Sequence, residues 1–330
     1  MSFALLLVAC AGPPEAIGKP SVTRGQATLG EASAEITGSV SVKLRPLVEV
    51  IAINVNSTEW QGDSILVLGP GAEGKTLLID GGYYDEGRDS VIPYLLSRNI
   101  THLDYMVATH ADMDHIAGLI EVLSERRVTV AELLVPNINW RKIDSDDEDY
   151  YSIVRPVWDD LMSAATHAGV PIRVVFAGDQ IDLGPDAVAD VLHGWESPTW
   201  QHNSLVLRIK YHDRAALLPG DASAGVWEWL GARDYDLSAD VLKLPHHCDA
   251  ETGVIAYLDA IDPALGIAPV PARVLTEPKC TVMKDALEAS GAVWLSNSEH
   301  GHITAWLRFG GVTWASGTVV SEQAAPASLE

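Results

Sequence analysis

Two imidazoles and two carboxylates fall within six residues at His110-Ala111-Asp112-Met113-Asp114-His115. The largely apolar run 103–108 precedes them, and a helical pattern continues through Leu123. A buried strand ending near Ala108 would put His110 and Asp112 in the turn that leaves a sheet. Asp114 and His115 would then open the following helix. Acids and imidazoles crowded this closely repel or desolvate one another unless a cation gathers them. A metal site is the reading that resolves the conflict; the alternative is a solvated turn with an N-capping aspartate.

The pattern H-x-D-x-D-H, with Thr109 before it and Gly118 soon after, resembles the H-x-[HD]-x-D-H signature of the metallo-β-lactamase-fold hydrolases. Aspartate in the second ligand slot resembles the branch that contains the hydrolase domain of the bacterial competence channel protein (ComEC). The resemblance implies that His110, Asp112, Asp114 and His115 are metal ligands, with Asp114 also catalytic. Further matches follow in the family's order. Asp80, ahead of Gly81 and Gly82, resembles an aspartate that braces the metal loop without ligating. Two glycines there suit a chain passing close beneath the site. Gly220-Asp221 resembles the G-D motif whose carboxylate bridges two metals, and a bridge needs a ligand with two oxygens.

Leu242-Lys243-Leu244-Pro245-His246-His247 resembles the branch's L-K-x-P-H-H segment. His246, first beyond the strand, is assigned as the ligand and His247 as a catalytic proton donor or phosphate contact, although the two roles can be reversed. Where the branch has Gly-Ser, this chain has Cys248-Asp249; Cys248 reads as a tolerated loop side chain. The stretch around His202, Asn203 and Ser204 resembles a third motif. It is expected to contact substrate or brace the site, and whether His202 ligates stays open. His300 and His302 resemble a polar turn outside the ligand set, and His102, His167, His193 and His212 show no partner pattern.

The rest of the chain fits a mixed fold. β-branched apolar runs at 48–55, 64–68 and 75–79 are separated by Gly-rich turns, among them Gln61-Gly62-Asp63 before the second run. A helix is expected over 89–98, strands at 131–135 and 172–176, and a helix over 154–168. The acid-rich segment 137–151 reads as a solvated loop; the alternative is a segment that overhangs the site and filters substrates. Strands at 188–192, 205–211 and 215–218 read as an antiparallel meander. Strands at 240–244, 264–268 and 292–295 alternate with helices, and a hairpin closes the chain around Gly310-Gly311. Periodicity alone gives a mixed α and β chain; the resemblance implies the α/β fold of a four-layer α/β/β/α sandwich.

Charge narrows the function. With 22 basic and 45 acidic side chains the net charge is −23, which repels phosphate backbones at long range and weighs against extended double-stranded DNA. Three cysteines give no disulfide framework, and Cys280 reads as an ordinary residue near a helix start. Leu7-Val8-Ala9-Cys10 resembles a bacterial lipobox after the apolar run 3–9, although no Lys or Arg precedes it. The domains read as a lipoprotein-signal-like segment 1–20, a linker 21–45, a metallo-β-lactamase-like hydrolase domain 46–320 and a tail 321–330. The expected location is the cell envelope, periplasmic or outer-membrane, with a lipid anchor at Cys10; without the lipobox it is the cytoplasm. No transmembrane helix is expected.

The ligand set implies two divalent ions, Zn2+ or Mn2+, that acidify a bridging water into a hydroxide nucleophile. Asp112 in place of histidine hardens one site and favours manganese there. The resemblance points to phosphodiester hydrolysis of a small or short substrate. Hydrolysis of an ester, lactone or amide, and a non-enzymatic surface or uptake binding protein, are the alternatives.

Overall fold

Alternation along single strands sets the layering in this computed structural model, which describes residues 47–58, 62–146, 148–194, 204–317 and 320–321. On strand β1 (Val48–Ala52), Val48, Val50 and Ala52 point into one apolar cluster and Ile51 into another. On β2 (Ile65–Leu68) and β3 (Thr76–Ile79), Ile65, Val67, Leu77 and Ile79 join the first cluster, and Leu66 and Leu78 the second. A strand buried on both faces is apolar at every position. That is why these runs read as continuous rather than alternating.

The first sheet continues through β4 (His102–Val107), β5 (Thr129–Pro136) and β6 (Ile172–Val175) and closes with β14 (Ile303–Arg308), β15 (Gly311–Ser316) and β16 (Val320–Ser321). Its order is β16-β15-β14-β1-β2-β3-β4-β5-β6. The second sheet holds β7 (Gln180–Gly184), β8 (Ala187–His193), β9 (Val206–Tyr211), β10 (Arg214–Leu218), β11 (Val241–Lys243), β12 (Leu265–Ala268) and β13 (Val293–Ser296), in the order β13-β12-β11-β10-β9-β8-β7. Strands β7 to β10 form the expected antiparallel meander with one more strand than anticipated, and β10 to β13 are parallel.

Helices cover both outer faces. Helices α1 (Ile92–Ser97), α2 (Met113–Glu125), α3 (Trp140–Asp146) and α4 (Glu148–Ala168) lie on the first sheet through the second cluster. Helices α5 (Ala224–Gly231), α6 (Leu258–Ile261) and α7 (Pro278–Ala289) lie on the second sheet through a third cluster around Trp227, Leu230, Met283 and Leu287. A single helical turn, α8 (Asn297–His300), follows β13. Three apolar layers between four structural layers make the α/β/β/α sandwich. Among the described residues no helix is long and apolar enough to cross a membrane.

Two expectations fail. Segment 137–151 is not a solvated loop: α3 and the start of α4 occupy it. Its acids hid an apolar stripe, in which Ile143, Tyr150 and Val154 turn inward and Asp144, Glu148 and Asp149 face solvent. The Trp140 ring packs 5.6 Å from that of Trp158 and anchors the pair of helices. The second failure concerns the thiols. Cys248 and Cys280 are joined in a disulfide, their Cα atoms 4.8 Å apart across 32 residues.

The loop after β3 is pinned under α2 by backbone bonds. Gly81 N donates to His115 O at 2.8 Å, and Gly118 N donates to Gly82 O at 3.0 Å. A Cβ on Gly118 would run into the Gly81 carbonyl, which is backbone and cannot yield. Gly118→Ala is therefore expected to cost about 1–3 kcal/mol of stability in a denaturant melt. An unchanged midpoint would show that the helix can lift off the loop freely.

Candidate metal centre

The C-terminal ends of β3, β4, β10 and β11 meet at one edge of the sandwich, and each delivers part of the cluster. Asp80 follows β3 with a left-handed backbone (φ 57°). Its carboxylate accepts hydrogen bonds from Thr109 N at 2.8 Å and Thr109 Oγ1 at 2.7 Å. The same carboxylate lies 2.8 Å from His115 Nδ1. A carboxylate can only accept, so His115 Nδ1 donates to it and Nε2 turns toward the centre.

The other two buried imidazoles are turned in the same sense. The Thr109 hydroxyl is committed as donor to Asp80, so at 2.9 Å it accepts from His110 Nδ1. Buried His110 Nε2 has no hydrogen-bond partner and points into the gap between Asp112 Oδ2 at 3.7 Å and Asp221 Oδ2 at 3.8 Å. His247 Nδ1 lies 3.2 Å from Asp63 Oδ1. All three histidines thus turn Nε2 toward one centre, the atom an imidazole gives to a cation.

On the His247 side the inward atoms draw close together. His115 Nε2 and His247 Nε2 are 3.2 Å apart, and each is 3.2 Å from Asp221 Oδ2. Asp114 Oδ2 is 3.3 Å from His247 Nε2. Asp63, His115, Asp221 and His247 also offer ligand atoms within 4.8 Å of one another. Asp63, however, faces the Nδ1 side of His247 and pairs with Lys243 Nζ, so Asp114 fits the inner corner better. On the other side His110 Nε2, Asp112 Oδ2 and Asp221 Oδ2 converge. Asp221 Oδ2 addresses both sides.

Several of these placements were unforeseen. His247, not His246, enters the cluster. His246 and His247 both take the left-handed conformation (φ 46° and 51°), and this twist swings the first ring outward. The His246 side chain is 41% exposed, with Nδ1 3.6 Å from Asp249 Oδ2. A strand-end alternation rule could not foresee that reversal. Ser204 is buried; its Oγ accepts from Asp221 N at 2.9 Å and lies 3.4 Å from His110 Nδ1. His202 and Asn203 lie outside the described residues. His302 Nδ1 accepts from Asn54 N at 3.0 Å and its ring packs on Tyr94, while His300 Nδ1 lies 3.1 Å from Ser296 O.

Three participants had no assigned role in the sequence. Asp63 follows a Gly turn that was visible, but nothing in it signalled a partner for His247. Lys243 is 2% exposed, and its ammonium meets Asp63, Gly220 O at 2.9 Å and Asp221 Oδ1 at 3.4 Å. Tyr150, from the helix read as a loop, donates its hydroxyl to Asp112 Oδ1.

Electrostatics bind the cluster together. Burial alone would raise the Asp63 pKa, but Lys243 and His247 overcome it and hold the carboxyl at about 2. Burial likewise opposes ionisation of Asp221, yet His115, His247 and Lys243 keep it well below the usual carboxylate range. Burial disfavours a charged His115 or His247, but Asp221 with Asp80, and Asp221 with Asp63, raise both well above 6.5 in the metal-free state.

The chain belongs to the Metallo-beta-lactamase superfamily, whose family model matches residues 57–263, and it is a metal-dependent hydrolase. It is 29% identical over 225 residues to ComE operon protein 3 of Bacillus subtilis, covering 63% of this chain and 27% of that protein. It therefore spans about a quarter of the length of that relative. Among solved structures, a metallo hydrolase of the archaeon Ignicoccus hospitalis is 16% identical, covering 78% of this chain and 98% of that one at a TM-score of 0.46. Zn(2+)-bound PqqB from Methylobacterium extorquens is 16% identical, covering 70% and 84%, at a TM-score of 0.42.

Two outcomes test the centre. His247→Ala should lose bound divalent metal by elemental analysis, whereas His246→Ala should retain it. The raised imidazoles also set a pH dependence. Their protonated forms stabilise the metal-free fold below about 6.5, and that contribution is lost as pH rises through the folded pKa values. A cation needs both Nε2 atoms bare, so zinc uptake at pH 7 should release protons and tighten as pH rises. Calorimetry in buffers of different ionisation enthalpy reads this directly; a buffer-independent heat would contradict it.

Proposed function

We propose that the chain is a phosphodiesterase acting on small or short phosphodiesters with two divalent ions, zinc or manganese. The observation that carries the reading is Asp221 Oδ2 standing between two groups of inward-facing ligands, with His110 Nε2 at 3.8 Å on one side and His115 and His247 Nε2 at 3.2 Å on the other. Asp114, His115, Asp221 and His247 would hold one ion; His110, Asp112 and Asp221 would hold the second. When bound, such a pair supplies Lewis-acid polarisation and an acidified water, and it clamps both oxygens of an in-line displacement. The resemblance of its motifs to the competence-type branch supports the phosphodiester class.

The protein's own groups do the rest. Asp80 fixes the ring of His115 through Nδ1, and the Asp63 carboxylate stands 3.2 Å from His247 Nδ1. Tyr150 holds one oxygen of Asp112 and leaves the other to the centre. His246 borders a cavity of about 230 Å³ beside the cluster, with Lys279 on its wall. We assign to His246 Nε2 the proton that a leaving oxygen needs. The lipobox-like Cys10 and the Cys248–Cys280 disulfide support placing the protein in the cell envelope, because disulfides persist in oxidising compartments.

The acidic surface favours a second reading, hydrolysis of a neutral ester, lactone or amide. Assays against bis-p-nitrophenyl phosphate, oligonucleotides, lactones and β-lactams, each with zinc or manganese, separate the two. We expect phosphodiester cleavage that Asp221→Ala lowers by about a hundredfold or more. Exposed Asp144 and Asp149 lie on the helices beside the site. Removing their charges should raise kcat/KM for oligonucleotides at low salt and leave lactones unaffected. Turnover of lactones alone, with both phosphodiester probes intact, would replace the first reading by the second.

A further inference from the structure

The loop that carries His247 adopts a backbone that its own residues disfavour. His246, His247 and Cys248 have φ values of 46°, 51° and 74°, three consecutive non-glycine residues in the left-handed region. L side chains visit that region singly, and runs of it unwind unless the surroundings hold them. Backbone support from the second sheet is slight: His246 N reaches Gly220 O at 3.4 Å. The firm tie comes from α7. Cys280, in its first turn, is bonded to Cys248, and Lys279 Nζ pairs with Asp249 Oδ2 at 3.1 Å. Met283 and Leu287 seat that helix in the third apolar cluster, so its position is rigid.

We propose that Cys280 is a positioning residue for the metal centre: its disulfide holds Cys248 left-handed, turns His247 Nε2 inward, and lets the centre assemble only where disulfides form. The inference rests on His247 being a ligand. Forming the bond joins two thiol sulfurs and gives up two electrons and two protons. An oxidised dithiol partner accepts them, and its own S–S bond opens to two thiols. Cys248 and Cys280 are 0% and 1% exposed, so the finished bond is shielded from thiols in solution. It acts as a one-time staple set during folding, and a reduced chain would carry an unformed site.

The test uses the full chain, stripped of metal and titrated with zinc against a chelating dye. Cys280→Ala should bind zinc at least about tenfold more weakly, with its far-UV circular dichroism preserved. Cys248→Gly combined with Cys280→Ala should regain much of the lost affinity, because glycine accepts a φ of 74° without a staple. A generic packing defect would not be rescued in this way. Should Cys280→Ala fail to fold, the double variant decides alone: zinc binding near the wild-type level supports the proposal, and weak binding or failure to fold overturns it. Wild-type affinity in folded Cys280→Ala overturns it, as do free thiols at both Cys248 and Cys280, read by peptide mass mapping, in protein made under oxidising conditions. His247→Ala keeps the two readings apart. If that variant retains zinc, the ligand assignment falls and the disulfide's role with it; if it loses zinc while Cys280→Ala keeps it, only the disulfide's role falls.

Discussion

Everything at the working edge of this molecule answers to one electrostatic conflict. Asp63, Asp80, Asp112, Asp114 and Asp221 converge on three imidazoles, and Asp63, Asp80 and Asp221 are almost wholly enclosed. Carboxylates taken out of water in such numbers separate unless positive charge is fixed among them. Lys243 supplies one permanent charge against Asp63 and Asp221. The imidazoles supply the remainder, either by holding protons or by giving their inner nitrogens to cations. The same constraint makes the fold dense beneath the site, where Gly81 and Gly118 bring two backbones into contact.

The sandwich is what allows so many groups to meet. Parallel strands from both sheets finish at one edge, and the loops leaving them are short. Each aspartate or histidine comes directly off a strand end or the first turn of a helix. Rigid elements thereby aim the ligands, and the His246–Cys248 turn adds a run of three left-handed residues.

How much of this was legible depended on where the information lay. The clustered motif at His110–His115, the glycines after Asp80 and the strand-end position of Asp221 are short-range patterns, and they marked both the site and its order along the chain. The layering followed from resemblance, because strands buried on both faces carry no alternation to reveal which side is which. What stayed hidden was set at long range. The Cys248–Cys280 pair spans 32 residues and has no spacing that marks it. Tyr150 reaches Asp112 only because α4 packs over α2, and a run of acids disguised that helix as a loop. The order of His246 and His247 turned on three left-handed residues, a backbone choice that side-chain identity does not announce.

Lys243 has a consequence for the order of events in the protein's life. Small zinc domains stay unfolded until the ion arrives, because nothing else gathers their ligands. Here a resident ammonium already neutralises part of the acidic pocket, and the large sandwich around it has an apolar core of its own. The chain can complete its fold while empty and exchange ions afterwards. Once the loop that carries His247 is set, the protein's metal content reports the supply around the finished molecule.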